Sequence, residues 1–266
     1  MSHNHSLMPP WFIFHIPHSS RVIPEWVRPQ IILSDAELDI QLNRMTDHAT
    51  LELFASDIPE AQRVVAPISR LIVDTERFRT QEAEPMEACG MGAIYEQTDD
   101  GRRLRETPSR EEREELLQRY YDPHHTRLKR VTESVLEAYG QALIIDCHSY
   151  PLNALPYEQM PNGERPELCL GTDPFHTSAS LTQATIDAFK AQGFEVGLNS
   201  PFAGTLVPLD YYQRDARVQS VMLELRRDMY VEESDTTVMK AAEFEQVAIR
   251  LRAGLVALSK SADCRR

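Results

Sequence analysis

Cysteine is scarce and scattered: Cys89, Cys147, Cys169 and Cys264 show no CxxC spacing. That excludes a cysteine zinc knuckle and a disulfide framework, and free thiols are expected. Long apolar runs are missing too. No stretch approaches the roughly 18 consecutive apolar residues that a membrane helix needs, so no membrane partner is expected. Basic residues are outnumbered, 28 Lys and Arg against 41 Asp and Glu, for a formal net charge of −13. Such a field repels a phosphate backbone and argues against nucleic acid as a partner. It also opposes a small anionic substrate, unless a local cluster of arginines reverses the field inside a pocket. The opening residues, MSHNHSLMPP, lack the charged-then-apolar order of a secretion signal, and a cytoplasmic location is the expectation. Internal repeats and low-complexity tracts are absent.

What remains is ordinary globular material, 42% hydrophobic and 26% charged over 266 residues. This length can bury one large core. One domain over residues 1–266 is expected, with a loose polar arm at 1–10. The stretch around which the chain is organised is Ala142 to Tyr150, ALIIDCHSY. Four apolar residues run into Asp146, Cys147, His148 and Ser149, the pattern of a buried parallel strand whose carboxyl end opens into a site. Trp11 to Ser20 repeats the design, with WFIFHI leading into Pro17 and His18.

Between these strands, Ser34 with Glu37 forms a capping-box pattern, and the spacing predicts a helix to about Ala55. Arg63–Pro67 and Arg70–Asp74 read as short extended runs, and residues 79–108, rich in turn formers, as a long loop. Ser109 with Glu112 caps another helix, which Pro123 should kink. After the central strand come a strand at Glu167–Gly171, a helix from Thr177 or Ser178 to Ala191, an extended Phe194–Gly197 and a turn-rich loop, Asn199–Thr205. A strand at Gln219–Leu225 and a final helix from about Thr236 to Leu258 complete the chain. Strands alternating with long helices, without hairpin signals, predict a three-layer αβα sandwich with a mixed, mainly parallel sheet.

His18 and His148 each follow an apolar strand, and two imidazoles at one sheet edge suggest a shared zinc ion. A hydrolytic zinc site needs about three protein ligands and an open position. Asp47 or His48, in the run MTDHAT, could supply the third. Asp146 stands two residues before His148, so both side chains share a strand face and the carboxylate can orient the imidazole. Glu224 interrupts an apolar strand, which suits either a general base with a tuned pKa or a partner for an arginine such as Arg226 or Arg227. Arg70, Arg77 and Arg226 are candidates for binding substrate carboxylates, although one of the first two can simply pair with Asp74. Asn199 and His125 join them as substrate-binding candidates. Cys147, facing away from His148 in a strand, is a poor nucleophile candidate.

The runs HIPHSS (15–20), MTDH (45–48), SRLIVDTER (69–77), GMGAIYEQTDDGRRLR (90–105), YYDPHH (120–125), DCHS (146–149), NSPFAGT (199–205) and LELRRDMY (223–230) resemble the N-formylglutamate amidohydrolase family. They cover nearly the whole chain in the family's order. The resemblance implies a fold related to the zinc carboxypeptidases and hydrolysis of N-formyl-L-glutamate to formate and L-glutamate, a last step of one histidine-degradation route. It implies one zinc per chain held at His18, Asp47 and His148, with Glu224 as base. Cys147 and Tyr150 depart from the family pattern and leave the substrate open. A zinc hydrolase of another N-acyl amino acid or small acidic peptide, and a metal-free binding protein, are the alternatives.

Overall fold

A computed structural model describes residues 8–158 and 160–261. The central sheet has six strands: β1 (Phe12–Ile16), β2 (Arg63–Val65), β3 (Ala142–Tyr150), β4 (Leu168–Gly171), β5 (Val196–Leu198) and β6 (Val218–Arg226), in the order β2-β1-β3-β6-β4-β5. The pairs β1–β2, β1–β3, β3–β6 and β4–β5 are parallel, and β4 runs antiparallel to β6. All nine residues of β3 are buried, as a strand covered on both faces requires.

Strand alternation divides the side chains by face. Phe12, Phe14, Leu143, Ile145, Cys147, Val221, Leu223 and Leu225 belong to one core cluster, whereas Ile13, Ile144 and Val218 belong to another. Continuing along that second face towards the carboxyl ends brings His15, Asp146, His148 and Glu224, so one face changes from apolar to ionisable along its length.

The helices are α1 (Asp35–Met45), α2 (Thr50–Ala55), α3 (Arg110–Leu116), α4 (Asp122–Tyr139), α5 (Ala179–Lys190) and α6 (Phe244–Lys260). Both predicted capping boxes form, at Ser34/Glu37 and Ser109/Glu112, and Ser178 caps α5. Gly140 ends α4 at φ 72 while its N–H reaches Leu136 O, a backbone position that favours glycine. Phe54, Leu181, Phe189, Leu251 and Leu255, from α2, α5 and α6, join the first cluster; Leu128, Val135 and Leu136 of α4 cover the opposite face. Each such fully buried side chain contributes about 1.5–3 kcal/mol.

Several expectations require correction. The predicted helix over 34–55 breaks after Met45, because Thr46 is extended and Ala49 adopts φ 56 before α2 begins. Arg70–Asp74 forms turns rather than a strand, tied by bonds from Ile72 N and Val73 N to Ser69 O. Residues 236–243 are not helical; β7 (Val231–Glu233) and β8 (Val238–Lys240) form a hairpin closed by Ser234 and Thr237. The long loop contains two 3-10 segments and buries Met91, Ala93, Ile94, Tyr95 and Leu104 in a third cluster. Pro123 is preceded by a π turn at Leu117–Tyr121, which absorbs the disturbance before α4. Of the expected arm, residues 1–7 lie outside the described residues, and Met8 packs into the core. Cys89, Cys147 and Cys169 are free, and Cys264 lies outside the described residues. Among the described residues, no helix is long and apolar enough to cross a membrane.

Candidate active site

The parallel strands β1, β3 and β6 deliver their carboxyl ends to one cleft of about 500 Å³, lined by His18, Asp47, Arg70, Glu76, Arg77, His148, Asn199, Glu224 and Arg227 among others. His18 follows β1, and Asp47 comes from the break between α1 and α2. His18 Nδ1 lies 3.3 Å from His148 Nδ1 and 3.7 Å from Asp47 Oδ2, and the last pair, His148 Nδ1 to Asp47 Oδ2, is 3.0 Å apart. A tetrahedral zinc with ligands about 2.0–2.1 Å away separates them by about 3.3 Å. The three donors therefore fit such a group.

The remaining imidazole nitrogens are also spoken for. His18 Nε2 is 2.8 Å from Asp74 Oδ1, and His148 Nε2 is 3.2 Å from Asp146 Oδ1 and 3.1 Å from Glu76 Oε2. This is how a metal-bound histidine is usually oriented, with its outer N–H given to a carboxylate. Asp146 also accepts from His15 Nδ1 at 2.8 Å and Leu206 N at 2.9 Å. Behind it, His15 Nε2 lies 2.8 Å from His124 Nε2 of α4. Besides His18, His148 and Asp47, two further sets of donors could hold a metal ion: His18 with Glu76 and His148, and His15 with Glu76 and Asp146.

Charge in the cluster is strongly biased. Burial opposes charge on His148, yet Glu76 and Asp146 raise its pKa well above the ordinary value. Burial likewise opposes the charge on Asp74, but Arg70 and His18 hold its carboxyl well below the usual range. Asp47 is lowered against burial by hydrogen bonds to His148 and His18. The donors therefore favour added positive charge, which a divalent cation supplies. Glu224 behaves oppositely. Burial pushes it up to about 8, with His148 opposing and Asp47 reinforcing the shift. It is 8% exposed and its Oε2 has no hydrogen-bond partner.

The arginines sort clearly. Arg70 donates to Asp74 Oδ2 through Nε at 3.1 Å and Nη2 at 2.8 Å, and Tyr95 adds its hydroxyl at 2.7 Å. Arg77 Nε has no hydrogen-bond partner and sits 3.8 Å from Asp74. Of the residues expected to bind substrate, neither Arg226 nor His125 lines the cleft. Arg226 turns away to Asp228 at 2.7 Å and to Arg165 O, and His125 Nε2 bonds Thr75 O at 2.8 Å beneath Tyr121. Asn199 lines the cleft but commits its amide to Thr172 N and Oγ1, each at 2.9 Å. His48 is tied to Asn43 O at 2.7 Å. Sequence patterns do not single out Glu76, His15 or the hydrogen-bonding role of Asp74 towards His18. His15 alternates with Ile13 on the face that also carries Asp146, which is the signal that could have found it.

Fold and site together define a class: an α/β protein whose sheet edge gathers histidines and carboxylates into a cluster that could hold a metal ion. The chain belongs to the N-formylglutamate amidohydrolase family, which matches residues 11–231. It is 26% identical over 235 residues to an N-formylglutamate deformylase of Pseudomonas putida, covering 84% of this chain and 82% of that one. In fold it resembles N-formylglutamate amidohydrolase from Ralstonia eutropha JMP134, with a TM-score of 0.77, 20% identity and coverage of 94% of this chain and 93% of that one. A gene product of Agrobacterium tumefaciens shares the fold at a TM-score of 0.61 and 20% identity, over 95% of this chain and 91% of that one.

Proposed function

We propose that this chain is a zinc-dependent amidohydrolase that cleaves N-formyl-L-glutamate to formate and L-glutamate in the cytoplasm, as one domain related in fold to the zinc carboxypeptidases. The observation that carries this reading is the convergence of His18 Nδ1, His148 Nδ1 and Asp47 Oδ2, at 3.0–3.7 Å from one another, beside the buried carboxyl of Glu224. Family membership and the deformylase name of the Pseudomonas putida relative support the substrate.

His18, Asp47 and His148 would hold one zinc ion per chain. Zinc supplies Lewis acidity, which acidifies water and polarises a carbonyl oxygen. Glu224, on the strand beside His148, takes the proton of the attacking water and delivers it to the leaving nitrogen as the formyl C–N bond breaks. Asp146 and Asp74 keep the two imidazoles aimed into the cleft. Arg77, with an unpartnered Nε, and Arg70, held rigid by Asp74, receive the substrate carboxylates and steady the oxyanion. Asn199 shapes the cleft wall.

Release of the free amino acid by the zinc-loaded chain tests this directly, comparing N-formyl-L-glutamate with N-acetyl-L-glutamate and other N-formyl amino acids, with formate measured beside it for the formyl substrates. The formyl glutamate should be the preferred substrate. No formate from it, under conditions where zinc is bound, would sink the reading.

A further inference from the structure

In the sequence Arg227 adjoins Arg226 and is a possible partner for Glu224. Although the residue borders the cleft, the structure commits both of its Nη atoms elsewhere and sets its Nε 3.4 Å from Glu233 Oε2. Arg227 is 2% exposed. Its Nη1 donates to Asn43 O at 3.2 Å and Thr46 O at 2.8 Å, and its Nη2 to Arg44 O at 2.9 Å. These carbonyls belong to the last turn of α1 and the residue after it, where a helix leaves acceptors unmatched and carries partial negative charge. One rigid, permanently charged fork meets three of them at once.

The consequence falls on Asp47. Thr46, at φ −84 and ψ 136, is the single residue between the end of α1 and that carboxylate. Three residues after Arg227, Tyr230 donates its hydroxyl to His48 O at 2.9 Å. The carbonyls immediately before and after Asp47 are thus both gripped from the segment beyond β6. On the inner side, Asp47 N donates to His18 O at 3.0 Å, and Asp47 Oδ2 accepts from Ser149 N at 3.1 Å. Locally, only Thr50 N and Oγ1 reach back to Asp47 O, at 3.4 and 3.0 Å, and the other restraints come from outside.

We propose that Arg227 is a positioning residue that sets the aim of Asp47 towards the metal rather than a substrate-binding arginine. This rests on the reading of Asp47 as a metal ligand. It also ties Asp47 to the end of β6, the strand that carries Glu224.

The test is zinc affinity, measured on the full chain by competition with a chromophoric chelator, beside thermal unfolding of the metal-free protein. Arg227→Lys keeps the charge but not the three-way fork. It should weaken zinc binding by about 10–100-fold, the usual range for groups that orient metal ligands. Tyr230→Phe, a milder change that removes one hydroxyl, should produce a smaller loss of the same kind. In an Asp47→Ala background, Arg227→Lys should change zinc affinity by less than about twofold, because the residue it positions is gone. Unchanged affinity in a folded Arg227→Lys, with a raised KM for N-formyl-L-glutamate, would overturn the proposal and return Arg227 to the substrate. An equal loss in the Asp47→Ala background would overturn it while leaving the zinc site standing. A wild-type chain that takes up no zinc would overturn the reading of the site, and this inference with it.

Discussion

His148 and Glu224 are registered partners on the neighbouring parallel strands β3 and β6. Their side chains leave the sheet on the same face. An imidazole that presents Nδ1 to Asp47 and His18 therefore stands beside a carboxyl group that burial holds near pKa 8. Strand pairing rather than a loop sets the imidazole and the carboxyl group side by side.

Glu224→Gln removes the acceptor while conserving shape. Formate release should fall by about 100-fold or more, within the usual contribution of general acid–base catalysis, with zinc content unchanged by elemental analysis. Turnover at the wild-type rate would remove Glu224 from the chemistry.

Asp74→Asn strikes the hub beneath His18. It weakens the contact that fixes His18 Nε2 and strips Arg70 of its buried counter-charge. Zinc affinity should drop by about 10–100-fold, and the metal-free chain should lose about 3–5 kcal/mol, as expected when one partner of a buried pair is removed. Chelator competition and urea unfolding read the two effects separately. A variant as stable and as tightly zinc-binding as wild type would contradict both roles.

Arg77 and Arg226 should separate in kinetics. A hydrogen bond to a charged group is worth about 1.5–3 kcal/mol, so Arg77→Met should raise KM for N-formyl-L-glutamate by about tenfold to hundredfold. Arg226→Met, whose partner is Asp228 outside the cleft, should leave KM within about twofold. The reverse pattern would restore Arg226 as the substrate arginine.

Acid should destabilise the fold in part through His125. Burial lowers its pKa to about 4, with His15 adding to the effect and the bond to Thr75 O and the charge of Asp122 opposing it. The unfolded chain titrates near 6.5 and so binds more protons below that pH. The stabilising contribution is complete above about pH 6.5 and is lost as pH falls towards 4. Between pH 7.5 and 5.0, wild type should lose about 2 kcal/mol more than His125→Gln in urea unfolding of the metal-free protein. Parallel pH profiles for the two proteins would show that His125 does not titrate in this window.

The features legible in the sequence rest on local rules. The apolar runs of β1, β3 and β6, the capping boxes at Ser34 and Ser109, and the polar residues at strand ends all express short-range patterns. The cluster of His18, Asp47 and His148 is visible because two of its members terminate such runs. The break at Thr46–Ala49 is hidden, since helical spacing continues through it and the carbonyls left at the end of α1 are met by Arg227, far along the chain. Arg226 and Arg227 are indistinguishable by composition; side-chain direction alone sends one to Asp228 and the other to α1. The hairpin at β7–β8 carries two three-residue strands, too short for periodicity to register. Glu76 enters the site because the turns at 69–77 fold it back, a tertiary effect with no local signature.

The π turn at Leu117–Tyr121 gives its helix slack. Such a turn accommodates one surplus residue while the coil on either side keeps its register. Losing a single residue there would regularise the coil and leave the start of α4 facing as before. His124 would stay against His15, and His125 on Thr75 O. A residue lost from the regular turns of α4 has no such reserve and would swing one side of the break by about 100° against the other, so the rear of the cleft tolerates a shortening at 117–121 and not beyond it.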